Sequence, residues 1–181
     1  MTYLISGGAK NGKSTLAQNL AVTLAQGGPH YYLATMIPVD EEDRERIRLH
    51  REDRAQLGFE TVECGRNLME SLEHVDWNGT FLLDSVTALL MNELFDPAQD
   101  YALDPEAGPR CIRDLEALAR RGKHVIFVSD YIYSDARHYD ETTECYRRQL
   151  ADIDRRLAQV CDTVVEASAG QYIVHKGALP E

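Results

Sequence analysis

The sequence predicts a three-layer α/β fold with a mostly parallel central sheet and a C-terminal antiparallel hairpin, and three observations carry that expectation. Short apolar runs alternate along the chain with longer stretches of good helix formers, the pattern of repeated βα units. Two of the runs, Thr80-Phe81-Leu82-Leu83-Asp84 and His124-Val125-Ile126-Phe127-Val128-Ser129, are continuously apolar between polar ends, as strands buried on both faces of a parallel sheet must be. Near the end, Thr163-Val164-Val165-Glu166 and Tyr172-Ile173-Val174-His175 flank Ala169-Gly170, the signal of a closing hairpin.

Tyr3-Leu4-Ile5 runs directly into glycines and reads as the first strand. A helix is expected from Lys13 to about Gln26, with Leu16, Leu20, Val22 and Leu24 as its apolar positions. Tyr31-Tyr32-Leu33-Ala34 is the next strand. The charged stretch from Asp40 to Arg54 has neither Gly nor Pro and reads as a helix, and Phe59 to Val62 as a third strand. After the strand ending at Asp84 come a helix of about Val86 to Phe95, a flexible loop rich in Asp and Pro from Asp96 to Pro109, and a helix of about Arg110 to Arg121. A long charged helix from roughly Thr142 to Val160 precedes the hairpin. A chain of 181 residues suits one domain, 1–181, with a sizeable core.

Composition narrows the function classes. With 44% hydrophobic and 27% charged residues the chain fits neither the disordered nor the fibrous class. A formal net charge of −11 argues against a surface that coats nucleic acid, which needs clustered Lys and Arg. The N-terminal residues lack a basic segment followed by a long apolar run, and no stretch approaches the roughly 18 apolar residues of a membrane span, so a cytoplasmic protein is expected. Cys64, Cys111, Cys145 and Cys161 form no Cys-x-x-Cys pair and suggest neither a disulfide framework nor a zinc site.

Gly7-Gly8-Ala9-Lys10-Asn11-Gly12-Lys13-Ser14 satisfies Gly-x-x-x-x-Gly-Lys-Ser, and each residue type has a mechanical purpose. The glycines let the backbone curl so that successive N–H groups and the following helix N-terminus face one phosphate. Lys13 supplies a point charge for the terminal phosphates of ATP or GTP, and the Ser14 hydroxyl, followed by Thr15, can ligate Mg²⁺. The placement between a strand and a helix makes the pattern a P-loop, and with it the fold a RecA-like P-loop NTPase. Asp84, closing a buried strand, is the natural acid on the far side of the magnesium; Asp also suits the N-cap of the helix after it.

Arg46, His50 and Arg54 recur every four residues and share one helical stripe, with Arg51 on its flank. Spacing alone fits either an anion-binding face or a solvated charged one, since acidic residues accompany the arginines.

The P-loop together with Ala34-Thr35, the segment Arg46-Ile47-Arg48-Leu49-His50-Arg51-Glu52-Asp53-Arg54, Thr61-Val62-Glu63 and Leu82-Leu83-Asp84-Ser85-Val86-Thr87 with Asn92 resembles the bifunctional adenosylcobinamide kinase / adenosylcobinamide-phosphate guanylyltransferase family of cobalamin synthesis. The resemblance covers nearly the whole chain. It implies phosphorylation of a cobinamide hydroxyl by ATP or GTP, then transfer of GMP from GTP to that phosphate through a GMP–histidine intermediate on His50. It further implies nucleotide contacts at Ala34, Thr35, Met36, Arg51, Glu63 and Asp84, and a homo-oligomer, with a trimer as the family's example. Arg46, Arg51 or Arg54 could offset charge on the phosphoryl oxygens. A neutral imidazole is the attacking species, so activity should fall as His50 protonates. After Ser129 the chain reads Asp130-Tyr131-Ile132-Tyr133-Ser134-Asp135, where the family usually has Asn-Glu-Val-Gly followed by a Gly and a Pro; the glycines, the proline and the acidic partner are missing. Two other readings remain: a diverged P-loop small-molecule kinase or nucleotidyltransferase with one activity, and a non-catalytic nucleotide-binding protein. Lys13, Ser14, Asp84 and His50 together speak against the last.

Overall fold

The computed structural model describes residues 1–180, and of Arg46 and Asp53 the backbone alone. A seven-stranded sheet runs through it in the order β3-β2-β4-β5-β1-β6-β7. The strands are β1 (Thr2–Gly7), β2 (His30–Ala34), β3 (Glu60–Glu63), β4 (Thr80–Asp84), β5 (His124–Asp130), β6 (Thr163–Ser168) and β7 (Gln171–Lys176). Every pairing is parallel except β6 with β7, the expected hairpin. The helices are α1 (Lys13–Ala25), α2 (Glu41–Arg54), α3 (Val86–Leu94), α4 (Ala107–Arg121) and α5 (Glu141–Val160).

The apolar runs dictate the layers. On one face Tyr3, Ile5, Leu82, Ile126 and Val165 pack against Ala17, Leu20 and Ala21 of α1. On the other, Leu33, Phe81, Leu83 and Phe127 pack against Leu89 and Leu90 of α3, Leu115 and Leu118 of α4, and Leu150, Ile153 and Leu157 of α5. Strand residues alternate between the two clusters because successive side chains point to opposite faces, and both faces are covered, which is why the central strands are apolar throughout. Strand β5 lies between β1 and β4, so the loop after β1 and the acid ending β4 stand one strand apart along the same C-terminal edge.

Helix α2 forms for electrostatic and capping reasons more than for packing. The Asp40 side chain caps it by accepting from the Asp43 N–H at 2.9 Å, Glu41, Glu42 and Asp43 occupy its first turn, and Arg51 and Arg54 its last, all favourable to the helix dipole.

Some boundaries differ from expectation. Helix α4 begins at Ala107, so Ala107-Gly108-Pro109 belongs to the helix; a proline is tolerated there because first-turn N–H groups have no partner within the helix. The preceding segment is also tied down: the Asp104 N–H donates to Leu94 O at 3.0 Å, and its carboxylate accepts from Arg110 at 2.7 Å. Strand β3 is displaced one residue, to Glu60–Glu63, and Val22 is exposed on α1 instead of facing the core. Among the described residues no helix is long and apolar enough to cross a membrane.

Candidate active site

Strand β1 delivers the glycine loop to the sheet edge. Gly7 pairs with Asp130 of β5 on one side and Ala167 of β6 on the other, and a Cβ at Gly7 would lie 2.4 Å from the Ala167 carbonyl oxygen, so only glycine fits between them. Gly12 caps α1 at φ +82° without a side chain, which leaves the first N–H groups of the helix available to an anion. Gly8, Ala9, Lys10, Asn11 and Gly12 form the loop, Thr15 is exposed on the first turn, and Ser14 faces a large cavity. The Lys13 ammonium, 6% exposed, donates to Gly8 O at 2.6 Å and pairs with the Asp130 carboxylate at 2.7 Å.

Asp84 emerges from β4 beside it. The Tyr32 hydroxyl donates to the Asp84 carboxylate at 2.9 Å, and burial together with that charge pushes the Tyr32 phenol well above its ordinary value. The helix-capping role falls to Ser85, whose hydroxyl accepts from the Ala88 N–H at 3.2 Å, so Asp84 is not the N-cap of α3. The Asp84–Ser85 peptide is cis. Thr35 is fully buried; its hydroxyl donates to Ser85 O at 2.8 Å and accepts from the Ser85 N–H at 2.7 Å, which fixes β2 to the turn after β4. Asn92 supports the same corner by donating to Thr35 O at 2.7 Å and Gly65 O at 2.9 Å. Thr35 thus positions the site and does not line it, while Ala34 and Met36 on either side do.

A cavity of about 430 Å³ unites these elements, with Ser14, Asp84 and Asp130 on one wall and His50, Arg51, Arg54 and Glu63 on the other. Arg51 pairs with Glu63 across the gap between α2 and β3. Arg54 is only 6% exposed; its guanidinium lies 3.5 Å from the Tyr32 ring centroid, and its Nε has no hydrogen-bond partner among the described residues. A desolvated cation stacked on an aromatic face, with a donor still open, is equipped to meet an anion. Arg46 lies on α2, its side chain outside the described residues.

The structure brings His50, Arg51, Arg54, Glu63, Asp84 and Ser14 into one cavity. Two members were missed. Asp130 supplies a carboxylate in the segment read as lacking its acid. The signal that singled out Asp84, an acidic residue ending a buried strand, was present there too. Tyr32 looked like an ordinary strand aromatic, and only the fold shows it touching both Asp84 and Arg54.

The donor set is one of hard oxygens, the Ser14 hydroxyl and the Asp84 carboxylate, the Asp130 carboxylate being paired with Lys13. No group of three or more His, Cys, Asp or Glu suited to a metal ion occurs among the described residues. That composition fits a magnesium ion completed by phosphate and water, and does not fit an all-protein cage.

Solved structures of similar fold include the flagellar accessory protein FlaH of Methanocaldococcus jannaschii, 13% identical with a TM-score of 0.50 over 97% of this chain and 78% of that one. A KaiC-like protein of Pyrococcus horikoshii OT3 is 12% identical with a TM-score of 0.52 over 97% and 79%. At such identities the likeness shows the fold alone, an α/β domain with a mostly parallel central sheet. In sequence, the chain is 37% identical over 102 residues to the bifunctional adenosylcobalamin biosynthesis protein CobU of Escherichia coli K12, a match covering 55% of this chain and 54% of the relative, about half the length of each. The family model described as cobinamide kinase / cobinamide phosphate guanyltransferase matches residues 3–174, and the chain belongs to that family.

Proposed function

We propose that this protein phosphorylates the side-chain hydroxyl of adenosylcobinamide with ATP or GTP and then transfers GMP from GTP to the new phosphate, with His50 as the intermediate carrier. The observation that carries the proposal is the shared cavity: a P-loop serine and Asp84 on one side, a histidine between buried and exposed arginines on the other. A protein that only bound nucleotide would have no use for a nucleophile facing its phosphate site.

For phosphoryl transfer, the chain's work is positioning and charge neutralisation. Loop amides, the α1 N-terminus and Lys13 hold the phosphates. Ser14 and Asp84 would hold Mg²⁺, which when bound supplies charge stabilisation on the phosphate oxygens. The Tyr32 hydroxyl keeps the Asp84 carboxylate aimed at the cavity. For GMP transfer, the neutral His50 imidazole attacks the α-phosphorus of GTP; the N–P bond forms as the bond to the bridging oxygen breaks, and pyrophosphate leaves. An oxygen of the cobinamide phosphate then attacks the same phosphorus and His50 departs. Arg54, desolvated against Tyr32, stabilises charge on the α-phosphoryl oxygens, and the Arg51–Glu63 pair lines the nucleoside end.

The proposal extends to a cytoplasmic homo-oligomer with a trimer as the expected state. All of β7 is exposed, with Tyr172, Ile173 and Val174 in sequence on an unpaired sheet edge. Sedimentation equilibrium showing a monomer at all concentrations would remove that part.

The test is turnover with cobinamide in two assays: transfer of label from the γ-position of ATP or GTP, and transfer from the α-position of GTP to cobinamide phosphate. Both products are expected. Label transfer in the first assay alone would leave a kinase and overturn the second reaction.

A further inference from the structure

We propose that the apolar cleft walled by Phe95, Ile132 and Tyr139 is the acceptor site, holding the methyl-rich, ring-bearing part of a corrinoid while its hydroxyl reaches Asp130. The inference rests on the cobinamide reading above and adds where the acceptor sits and which group takes its proton. The cleft encloses about 300 Å³ and adjoins the nucleotide cavity, with Met91 and Tyr146 as walls of both.

Three features point to an apolar ligand. First, Met91, Ile132 and Tyr139 are 43%, 39% and 39% exposed and gather at this one place. Exposed apolar groups concentrated beside a polar reaction site are what remote binding of a substrate requires. Second, the one charged side chain on the wall, Arg147, has both terminal guanidinium nitrogens committed elsewhere, its Nε alone being without a hydrogen-bond partner among the described residues: it pairs with Asp135 at 2.8 Å and Glu144 at 2.7 Å, donates to the Arg137 and Tyr133 carbonyls, and lies 4.8 Å from the Tyr139 ring. It shapes the wall with its charge balanced by two carboxylates. Third, Tyr146, which walls both cavities, is held in place, its hydroxyl donating to Thr87 O at 3.1 Å.

Asp130 lines the nucleotide cavity, as Tyr146 does. Its N–H donates to the Thr87 hydroxyl at 2.9 Å, its carboxylate sits 2.7 Å from Lys13, and the chain continues from it through Tyr131 into Ile132 of the cleft. An acceptor lying against Ile132 and Phe95 presents a hydroxyl past Tyr146 to the same point at which Lys13 holds the terminal phosphate. In the transfer, the hydroxyl oxygen bonds to the γ-phosphorus, the bond from that phosphorus to the β–γ bridging oxygen breaks, the hydroxyl proton passes to the Asp130 carboxylate, and the nucleoside diphosphate leaves. The cleft is at the small end of ligand sites, so it holds one edge of a corrinoid and leaves the rest in solvent.

The test uses Ile132→Asp, which places a charge on the cleft wall at an exposed position outside the nucleotide cavity, and Ile132→Val as the conservative control. Steady-state phosphorylation is measured with cobinamide and ATP, and nucleotide affinity by calorimetry. The expected result for Ile132→Asp is a KM for cobinamide raised at least tenfold with nucleotide Kd unchanged within twofold, and near wild-type values for Ile132→Val. Asp130→Asn is expected to lower kcat at least a hundredfold at unchanged KM for cobinamide. A cobinamide KM within twofold of wild type in Ile132→Asp, with the wild type active, overturns the acceptor site and leaves the cobinamide reading standing. A wild-type protein that binds nucleotide but neither binds nor phosphorylates cobinamide overturns both.

Discussion

Asp154 offers a perturbation whose size and sign can be worked from the structure. The side chain projects from α5 and is 5% exposed; the Tyr133 hydroxyl donates to one carboxylate oxygen at 2.8 Å, and the other has no hydrogen-bond partner among the described residues. Burial pushes its carboxyl up from the ordinary 3.8 to about 6, and the nearby Asp130 charge adds to this, against the opposing pull of Ser129 and Tyr133. Ser129 stands close enough to favour the ionised form, yet its buried hydroxyl makes no hydrogen bond of normal geometry. A tenfold change in proton affinity corresponds to about 1.4 kcal/mol, so ionising Asp154 in the fold costs on the order of 3 kcal/mol. Because the folded value lies above the unfolded one, this contribution to stability is whole below pH 3.8 and is lost as pH rises through about 6. Asp154→Asn keeps an acceptor for Tyr133, adds an amide donor within reach of Ser129 and cannot ionise. It is expected to be more stable than wild type at pH 8 by about 1–3 kcal/mol, a rise in Tm of about 2–10 °C for a chain of this size, with the difference vanishing near pH 4. Thermal unfolding of both proteins from pH 4 to 8 measures it. Parallel curves at a constant offset would refute the reasoning.

Lys13→Ala removes a buried ammonium that is hydrogen-bonded on two sides, and is expected to weaken nucleoside triphosphate binding by about thirtyfold to a thousandfold or more, the range for truncating one member of a buried charge pair; an unchanged Kd in calorimetry would contradict the P-loop assignment. Asp84→Asn is expected to reduce Mg²⁺-dependent turnover sharply while shifting Tm by only a few degrees, since Ser85 caps α3; loss of the fold with normal activity per folded molecule would contradict this. Arg54→Ala gives up a desolvated cation–π contact of about 2 kcal/mol and should slow GMP transfer more than phosphoryl transfer, so equal losses in the two assays would count against its place at the α-phosphate.

The reach of the sequence was uneven for physical reasons. Period-two and continuous apolar patterns report burial, and burial is what organises a parallel sheet, so the strands through Phe81, Ile126 and Val165 and the hairpin at Ala169-Gly170 were legible to within a residue or two. The start of α4 was not, because Gly108 and Pro109 read as breakers; at the first turn neither breaks a helix, and the Gly108 N–H donates to Gln149 Oε1 of α5 at 2.7 Å. Residues on P-loop and α2 spacings were legible because each motif is local in sequence. Asp130 was hidden by comparing the segment position by position with a familiar pattern, whereas its place is set by the β1–β5 register, which pairs it with Gly7 across 123 residues of chain. The Tyr32–Arg54 stack and the Thr35–Ser85 exchange are likewise tertiary, and no local spacing announces them.

The central claim is that His50 carries GMP, and intact-mass and peptide mass spectrometry of the protein after incubation with Mg²⁺ and α-labelled GTP tests it most directly. A phosphoramidate predicts an adduct of one GMP on the peptide containing His50, labile to acid, stable to base and discharged by cobinamide phosphate. His50→Ala should lose the adduct while still binding GTP through the loop from Gly7 to Ser14. A wild-type protein that binds GTP with Mg²⁺ and forms no adduct, with or without the acceptor, would contradict the account and leave a kinase.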